Sequence, residues 1–403
     1  MAEDIFYFNP TCELAIANGS FSYMPPQLLR DFENDCAALP FVFASSNDFI
    51  LTETKPSYEF LRELTDYGFQ MPVFAPMKEL MAGSSFNQLL PWGWSPAAHF
   101  ILKSLKDKCS PDFKSSPVFN WHEMHKTLFE RKTSLAFLVT LLENHPLNFF
   151  LKKECTGTMV TNMAEIEILL NKQFPLVLKA PLSSSGRGIQ IIRKADLNTS
   201  NRQWISGVLG QQGYLVAEPY LDKRMDLSFQ FHINDLGEPE YLGYSIFETN
   251  TNGQYKSTLI HPKISKLLPD EQFRTVNDMI EITAELITQN LSQSIFSTWH
   301  RGLMGIDAMI YKDEKDLKIQ PCIEINSRMN MGILAMQAQK YLHPQAQGKF
   351  ELFYGRKGAF NHFAQRTTID RPLKLLDGQP FSGFLPLTEP DASKQFGAYL
   401  LLE

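Results

Sequence analysis

Two stretches of this sequence hold side chains suited to phosphate and divalent-metal chemistry. The first runs from Phe174 to Arg193, FPLVLKAPLSSSGRGIQIIR, where Lys179 ends an apolar run and a Ser/Gly segment follows. A lysine at the mouth of a loop offers phosphate oxygens a compact point charge. Gly186 and Gly188 allow backbone N–H groups to approach an anion closely, and Ser183, Ser184 and Ser185 add hydroxyl donors. Such a tip can wrap a polyphosphate, although the same composition also serves as an ordinary turn.

The second stretch, Gly302 to Gly332, reads GLMGIDAMIYKDEKDLKIQPCIEINSRMNMG. Two carboxylates and an amide oxygen, Asp307, Glu324 and Asn326, are hard ligands of the kind Mg²⁺ takes beside substrate phosphates. Arg328 follows two residues later, with a planar fork suited to phosphate or carboxylate. The alternative is an edge strand with a solvated acidic face.

These residues need strands to position them. Pro175 to Leu178 and Ile189 to Ile192 predict a hairpin with the Ser/Gly segment at its tip. Alternation in Ile306 to Tyr311 sets Asp307 opposite Ile306, Ala308 and Ile310. In Lys318 to Asn326 it puts Glu324 and Asn326 on one face and Ile323 and Ile325 on the other. If the two strands pair across the turn Lys312 to Asp316, the three oxygen-bearing side chains converge. Asp270 to about Ser294 predicts a long amphipathic helix behind them, and Arg131 to Asn144 another with Lys132 in its first turn.

A Lys-terminated strand, a Ser/Gly loop containing GRG, an Ala-Glu-Pro-Tyr-Leu segment and a GID…EIN-S-R ending occur in that order. This order resembles the ATP-grasp superfamily, and within it most closely the biotin carboxylase type, over roughly residues 120 to 340. The resemblance implies two α+β lobes that clamp ATP, preceded by an N-terminal α/β pre-ATP-grasp domain. It implies that Lys132 and Lys179 are the first and second nucleotide-contacting lysines and that the loop Ser183, Ser184, Ser185, Gly186, Arg187, Gly188 covers the phosphates. Glu218 matches the hinge carboxylate facing the adenine amino group, and Tyr220 and Leu221 continue that adenine-side segment. Asp307, Glu324 and Asn326 match the magnesium ligands, and Arg328 with Lys179 carries the catalytic role. Gly305 stands where several amino-acid ligases of the family have arginine, so Arg301 and Arg224 are candidates for that charge.

The rest of the chain is read by pattern. Ile5 to Phe8 predicts a strand, NPTCELAIANGS a loop bearing the substrate-side candidates Glu13 and Asn18, and Pro25-Pro26 the start of a helix to about Ala38. Phe41 to Ala44 and Val73 to Ala75 predict further strands and Tyr58 to Leu64 a helix, an N-terminal α/β rhythm. Trp92 and Trp94 suit either stacking on a ring-shaped substrate or packing, ahead of a helix capped by Ser95 and opened by Pro96. Lys106 to Ser116 reads as a boundary, so the expected domains are 1–118, 119–216 and 217–403. His122 and His125 read as surface helix residues, because HEMH lacks the HExxH metal spacing. In Asp226 to Ile233, Leu227, Phe229, Phe231 and Ile233 are expected inward, and Asp226, Ser228, Gln230 and His232 outward. Arg356, Lys357, Arg366 and Arg371 read as solvated charge or a basic rim for an acidic substrate.

With 403 residues, 44% of them hydrophobic, the chain can fill more than one core. A net charge of −6 argues against a general nucleic-acid binder. Five scattered cysteines without a CxxC pair indicate neither a disulfide framework nor a zinc site, and fit a reducing cytoplasm. The acidic start and the absence of a long apolar run predict neither a signal peptide nor a membrane span. The expected activity is therefore an ATP- and Mg²⁺-dependent ligase joining small-molecule or peptide carboxylates to amines through an acyl phosphate, in a chain whose family often dimerises. A small-molecule kinase and a non-catalytic ATP-binding protein are the alternatives.

Overall fold

Short strands that end in turn residues and long strands that alternate fall into different parts of this molecule. The structure, a computed structural model, describes residues 3–83, 85–172, 175–183, 188–194, 196–251, 253–268 and 270–403. The chain folds as two compact units, one of residues 1–121, 256–262 and 328–403, the other of residues 122–255 and 263–327.

The first unit begins with a parallel sheet in the order Val73–Ala75, Phe49–Leu51, Ile5–Tyr7, Leu89–Pro91. The chain steps outward to one side of Ile5–Tyr7 and then crosses to the other, so a topological switch point lies between Ile5–Tyr7 and Leu89–Pro91. Ser57 caps Tyr58–Asp66 by accepting from the Phe60 N–H (3.3 Å), and Ser95 caps Pro96–Ile101 by accepting from the Ala98 N–H (3.1 Å). Ile5, Leu89, Trp94, Leu102 and Leu105 share one buried core; side chains of this kind contribute about 1.5–3 kcal/mol each when fully buried. Both tryptophans, Trp92 and Trp94, are buried and pack.

Several expectations for this unit are corrected. Phe41 to Ala44 is not a strand: Leu39–Val42 is a 3₁₀ turn with Pro40 second in it, in the first turn, where the missing N–H is tolerated, and the strand is Phe49–Leu51. The segment after Ile5–Tyr7 is a helix, Cys12–Asn18, whose alanines favour it and whose end is set by Gly19 at φ +78°. Residues 106–116 hold the short helix Pro111–Ser115 with Phe113 buried, so they are packed structure. The C-terminal strands Gly348–Tyr354, Phe396–Leu402 and Gln379–Pro386 pair antiparallel over Phe360, Phe384 and Tyr399. Asp35 accepts from the Gln395 and Phe396 N–H groups (2.7 and 3.0 Å). Residues 328–403 thus gather with the N-terminal segment, where the sequence had set them with 217–327.

The second unit contains two antiparallel sheets. One has the order Thr158–Val160, Leu215–Pro219, Leu176–Lys179, Ile189–Ile192, over a core that includes Ile166, Leu178, Ile205 and Leu215. The hairpin Leu176–Lys179 to Ile189–Ile192 is as the sequence predicts, with Lys179 opposite Ile189. The other places Asp316–Asn326, Gly302–Asp313, Asp222–Ile233 and Pro239–Thr249 side by side. Helices Arg131–Asn144 and Asp270–Ser292 pack against it. Asp226, Ser228 and Gln230 are buried where the alternation predicted exposure, because both faces of this strand are covered; Gln230 answers by donating to Ser245 Oγ (3.1 Å).

His125 is buried as well. It and His122 form a capping box: His122 Nδ1 accepts from the Met124 N–H (3.1 Å), and His125 Nδ1 accepts from the His122 N–H (2.9 Å). Among the described residues no helix is long and apolar enough to cross a membrane.

Candidate nucleotide and metal site

Strand register does most of the positioning in the second unit. Asp307 is the register partner of Glu324, and Gly305 that of Asn326, so the three side chains share one face of the hairpin. Asn326 Nδ2 donates to Asp307 Oδ2 at 3.1 Å. Ile306, Ala308 and Ile325 on the opposite face are buried, which fixes the register against a one-residue slip. Two carboxylates and an amide on one face suit a cation that completes its shell with water and phosphate oxygens. No group of three His, Cys, Asp or Glu is gathered among the described residues, so a metal here depends on Asn326 and on its own substrate.

The other sheet of this unit brings together Lys179 and Glu218. Both sit on adjacent strands, and Lys179 Nζ donates to Glu218 Oε2 at 2.5 Å with both groups largely buried. Gly157 leaves room for Glu218, since a Cβ there would stand 3.0 Å from Glu218 Cγ. At the hairpin tip a Cβ on Gly188 would collide with Ser183, so only glycine fits beneath that serine. Ser184, Ser185, Gly186 and Arg187 lie outside the described residues. Tyr220 is partly exposed beneath the Arg193 guanidinium (5.1 Å), and Leu221 follows it at the edge.

Lys132 sits differently from its expected place. Its ammonium pairs with Glu130 (2.6 Å) and is half exposed, 6.0 Å from the Tyr214 ring. The buried cation at this helix start is its neighbour Arg131, which the sequence reading missed. Arg131 Nε donates to the Ala180 carbonyl (2.9 Å), Nη2 to Ser183 Oγ (3.3 Å), and Nη2 lies 3.1 Å from Glu324 Oε2. One guanidinium therefore touches the phosphate-loop hairpin and a candidate metal ligand.

Arg328 and Glu13 meet in the first unit. Glu13 is buried on the helix that follows Ile5–Tyr7, and Arg328 is anchored where the Met329 N–H donates to the Trp92 carbonyl (2.8 Å) after Leu89–Pro91. This is the switch point of the parallel sheet, beyond the carboxyl ends of the strands, where open α/β sheets bind ligands. Asn9 clamps the turn by donating to the Gly93 carbonyl (2.8 Å) and accepting from its N–H (3.3 Å). A Cβ on Gly93 would overlap Cys12 Sγ and stand 3.1 Å from Arg328 Cβ, so a glycine lets the two segments meet. Nearby, burial pushes the Glu33 carboxyl above its ordinary value against two bonds from Thr11. Asn18 is exposed and accepts from the Ser20 N–H (3.2 Å) as a turn residue. Arg301 donates to the carbonyls of Asp235, Ser297 and His300, and Arg224 pairs with exposed Asp222. Arg356, Lys357, Arg366 and Arg371 are exposed.

Comparison with known proteins agrees with this architecture. The sequence matches no protein-family model and no curated protein. The structure is similar over its whole length to an ADP complex of PurK, N5-carboxyaminoimidazole ribonucleotide synthetase (TM-score 0.51, 11% identity, 93% of that chain). It is similar to the same extent to biotin carboxylase of Campylobacter jejuni (TM-score 0.51, 12% identity, 88% of that chain). The fold is ATP-grasp. A third ATP-grasp likeness is the biotin carboxylase domain of the Hydrogenobacter thermophilus 2-oxoglutarate carboxylase, in complex with MgADP, ADP and bicarbonate (TM-score 0.50, 11% identity, 86% of that chain). At such identities the likeness carries the fold, and the chemistry must be argued from the side chains.

Proposed function

We propose that this chain is an ATP- and Mg²⁺-dependent ligase that joins a carboxylate to an amine through an acyl phosphate. The observation that carries the reading is the hairpin register that sets Asp307 against Glu324 with Asn326 on the same face. Two of the structures it resembles hold ADP, one of them with magnesium, which supports the same reading.

Phosphoryl transfer asks a protein mainly for positioning and charge neutralisation. Lys179 and the cations at the start of the helix Arg131–Asn144 supply positive charge for the phosphates, and the Ser183 to Gly188 loop supplies N–H and hydroxyl donors. Glu218 and Tyr220–Leu221 take the adenine side. A magnesium ion held by Asp307, Glu324 and Asn326 would neutralise charge on the transferring phosphate. A substrate carboxylate oxygen attacks the γ-phosphorus, the bond to the bridging oxygen breaks, and ADP leaves. The amine nitrogen then attacks the acyl carbon, loses a proton, and phosphate departs. Arg328, to which the resemblance assigns a catalytic role, is paired with Glu13 in the first unit.

The test is phosphorus NMR of the protein with Mg²⁺, ATP and pooled acids and amines. ADP and free phosphate that accumulate only with both pools present support the ligase. A stable phosphorylated product would identify a kinase, and intact ATP under every pool would overturn both.

A further inference from the structure

We propose that Ser228 is a positioning residue of the metal site, whose hydroxyl holds a water of the magnesium shell beside Asp307 and so brings a third strand into the site. The inference rests on the metal reading above and adds a residue to it.

Strand register carries the placement. Ser228, on Asp222–Ile233, is the partner of Asp307, and Asp307 has Glu324 as its partner on the other side. Residues directly opposite one another in antiparallel strands project from the same face. Ser228, Asp307 and Glu324 therefore form one row across three strands, with Asp307 in the middle. Leu227 and Phe229, the neighbours of Ser228, are wholly buried on the other face opposite Ala308 and Ile306, which holds the row against a one-residue slip.

Three polar side chains of Asp222–Ile233 lie buried on the face of this row, and two of them are served by the protein. Asp226 accepts from Lys223 and from the Thr249 hydroxyl (3.0 Å), and Gln230 donates to Ser245 Oγ (3.1 Å). Ser228 stands between them, 3% exposed, and its Oγ has no hydrogen-bond partner among the described residues. Burying a hydroxyl in that way is unfavourable, and alanine in its place would avoid the cost. Such a group marks a position where a ligand completes the set of bonds.

The neighbour across the strand decides which ligand. A phosphate oxygen is a poor occupant, because the row places a second carboxylate, Glu324, beyond Asp307 and no cation of its own. A metal-bound water suits it better. Magnesium keeps several waters when one or two carboxylates hold it, and such a water is a strong donor that needs an acceptor outside the metal. Ser228 Oγ has two lone pairs to accept from it, and its own O–H can donate onward to a carboxylate or phosphate oxygen. Bonds of this outer kind orient the ligands of a metal and raise its affinity.

The experiment measures binding of the nonhydrolysable triphosphate AMPPNP to the full chain with Mg²⁺ and with EDTA, by calorimetry, for wild type, Ser228→Ala and Ser228→Thr. The quantity of interest is the gain in affinity that Mg²⁺ brings. Ser228→Ala should cut that gain by roughly tenfold and leave binding in EDTA unchanged. Because it removes a buried hydroxyl without a partner, it should also raise the melting temperature of the metal-free chain. Ser228→Thr keeps the hydroxyl and should retain most of the gain. An undiminished gain in Ser228→Ala overturns the proposal. So does a lower melting temperature, which would show the hydroxyl serving the fold, and so does an equal loss of AMPPNP with and without Mg²⁺. If wild type itself gains nothing from Mg²⁺, the metal reading falls and takes this one with it; a gain in wild type that Ser228→Ala shares brings down this proposal alone.

Discussion

Glu13 accepts two hydrogen bonds from Arg328 on one oxygen, Oε1, from Nε–H at 2.9 Å and from Nη2–H at 2.8 Å, across 315 positions of sequence. The third nitrogen of the guanidinium, Nη1, donates to the Met329 carbonyl (3.0 Å), which fixes the plane of the group. Both residues are shielded from water, Glu13 almost wholly. A buried pair of this kind contributes less net stability than its attraction suggests, yet losing one partner strands the other.

Glu13→Ala is therefore expected to destabilise the first unit by about 3–5 kcal/mol, the range for an uncompensated buried charge. Arg328→Met together with Glu13→Gln should recover much of that loss. Thermal unfolding of the single and double variants measures the coupling, and additive losses would show that the pair is incidental.

Glu324→Gln keeps the shape of the side chain and removes its charge. If Glu324 is a magnesium ligand, turnover should drop roughly a hundredfold or more, a few kcal/mol on the barrier. Excess Mg²⁺ should restore part of it by mass action. Steady-state kinetics across a magnesium titration reads both effects, and turnover within twofold of wild type would remove Glu324 from the metal site.

Alternation made the metal-ligand hairpin legible, because apolar partners such as Ile306 and Ile325 pin its register. The phosphate-loop hairpin was legible from its two short apolar runs and the Ser/Gly segment between them. Arg131 carried a readable signal that was passed over: it lies three residues before Ser134 and seven before Leu138, on the stripe the helix buries. A charged residue on that stripe is an informative exception. Glu13 with Arg328 was not legible as a pair, since no local pattern links positions 315 apart; each was marked separately, by loop position and by spacing from Asn326. The misread strand at Phe41 had aromatic and branched residues in its favour, but Pro40 and the strand at Phe49–Leu51 override local propensity. Asp226 and Gln230 were misplaced outward because periodicity reports two faces and cannot say that both are covered.

His300 gives the second unit an acid-sensitive point. It is buried, its Nε2–H donates to the Leu303 carbonyl (3.2 Å), and burial lowers its pKa from 6.5 to about 4 against the opposing effect of that bond, with smaller contributions from His125, His232 and Arg301. Between those values the unfolded chain binds a proton that the folded chain refuses. Stability is therefore fully present above pH 6.5 and declines as the pH falls toward 4, where the folded form also protonates. The shift corresponds to about 3 kcal/mol at most across that interval. His300→Gln, which can keep a donor for the Leu303 carbonyl but does not titrate, should flatten the dependence of unfolding free energy on pH over this window. Urea unfolding at pH 7, 6, 5 and 4 measures the slope. A variant with the wild-type slope would place the acid sensitivity elsewhere, in the carboxylates that also titrate at the lower end of the range.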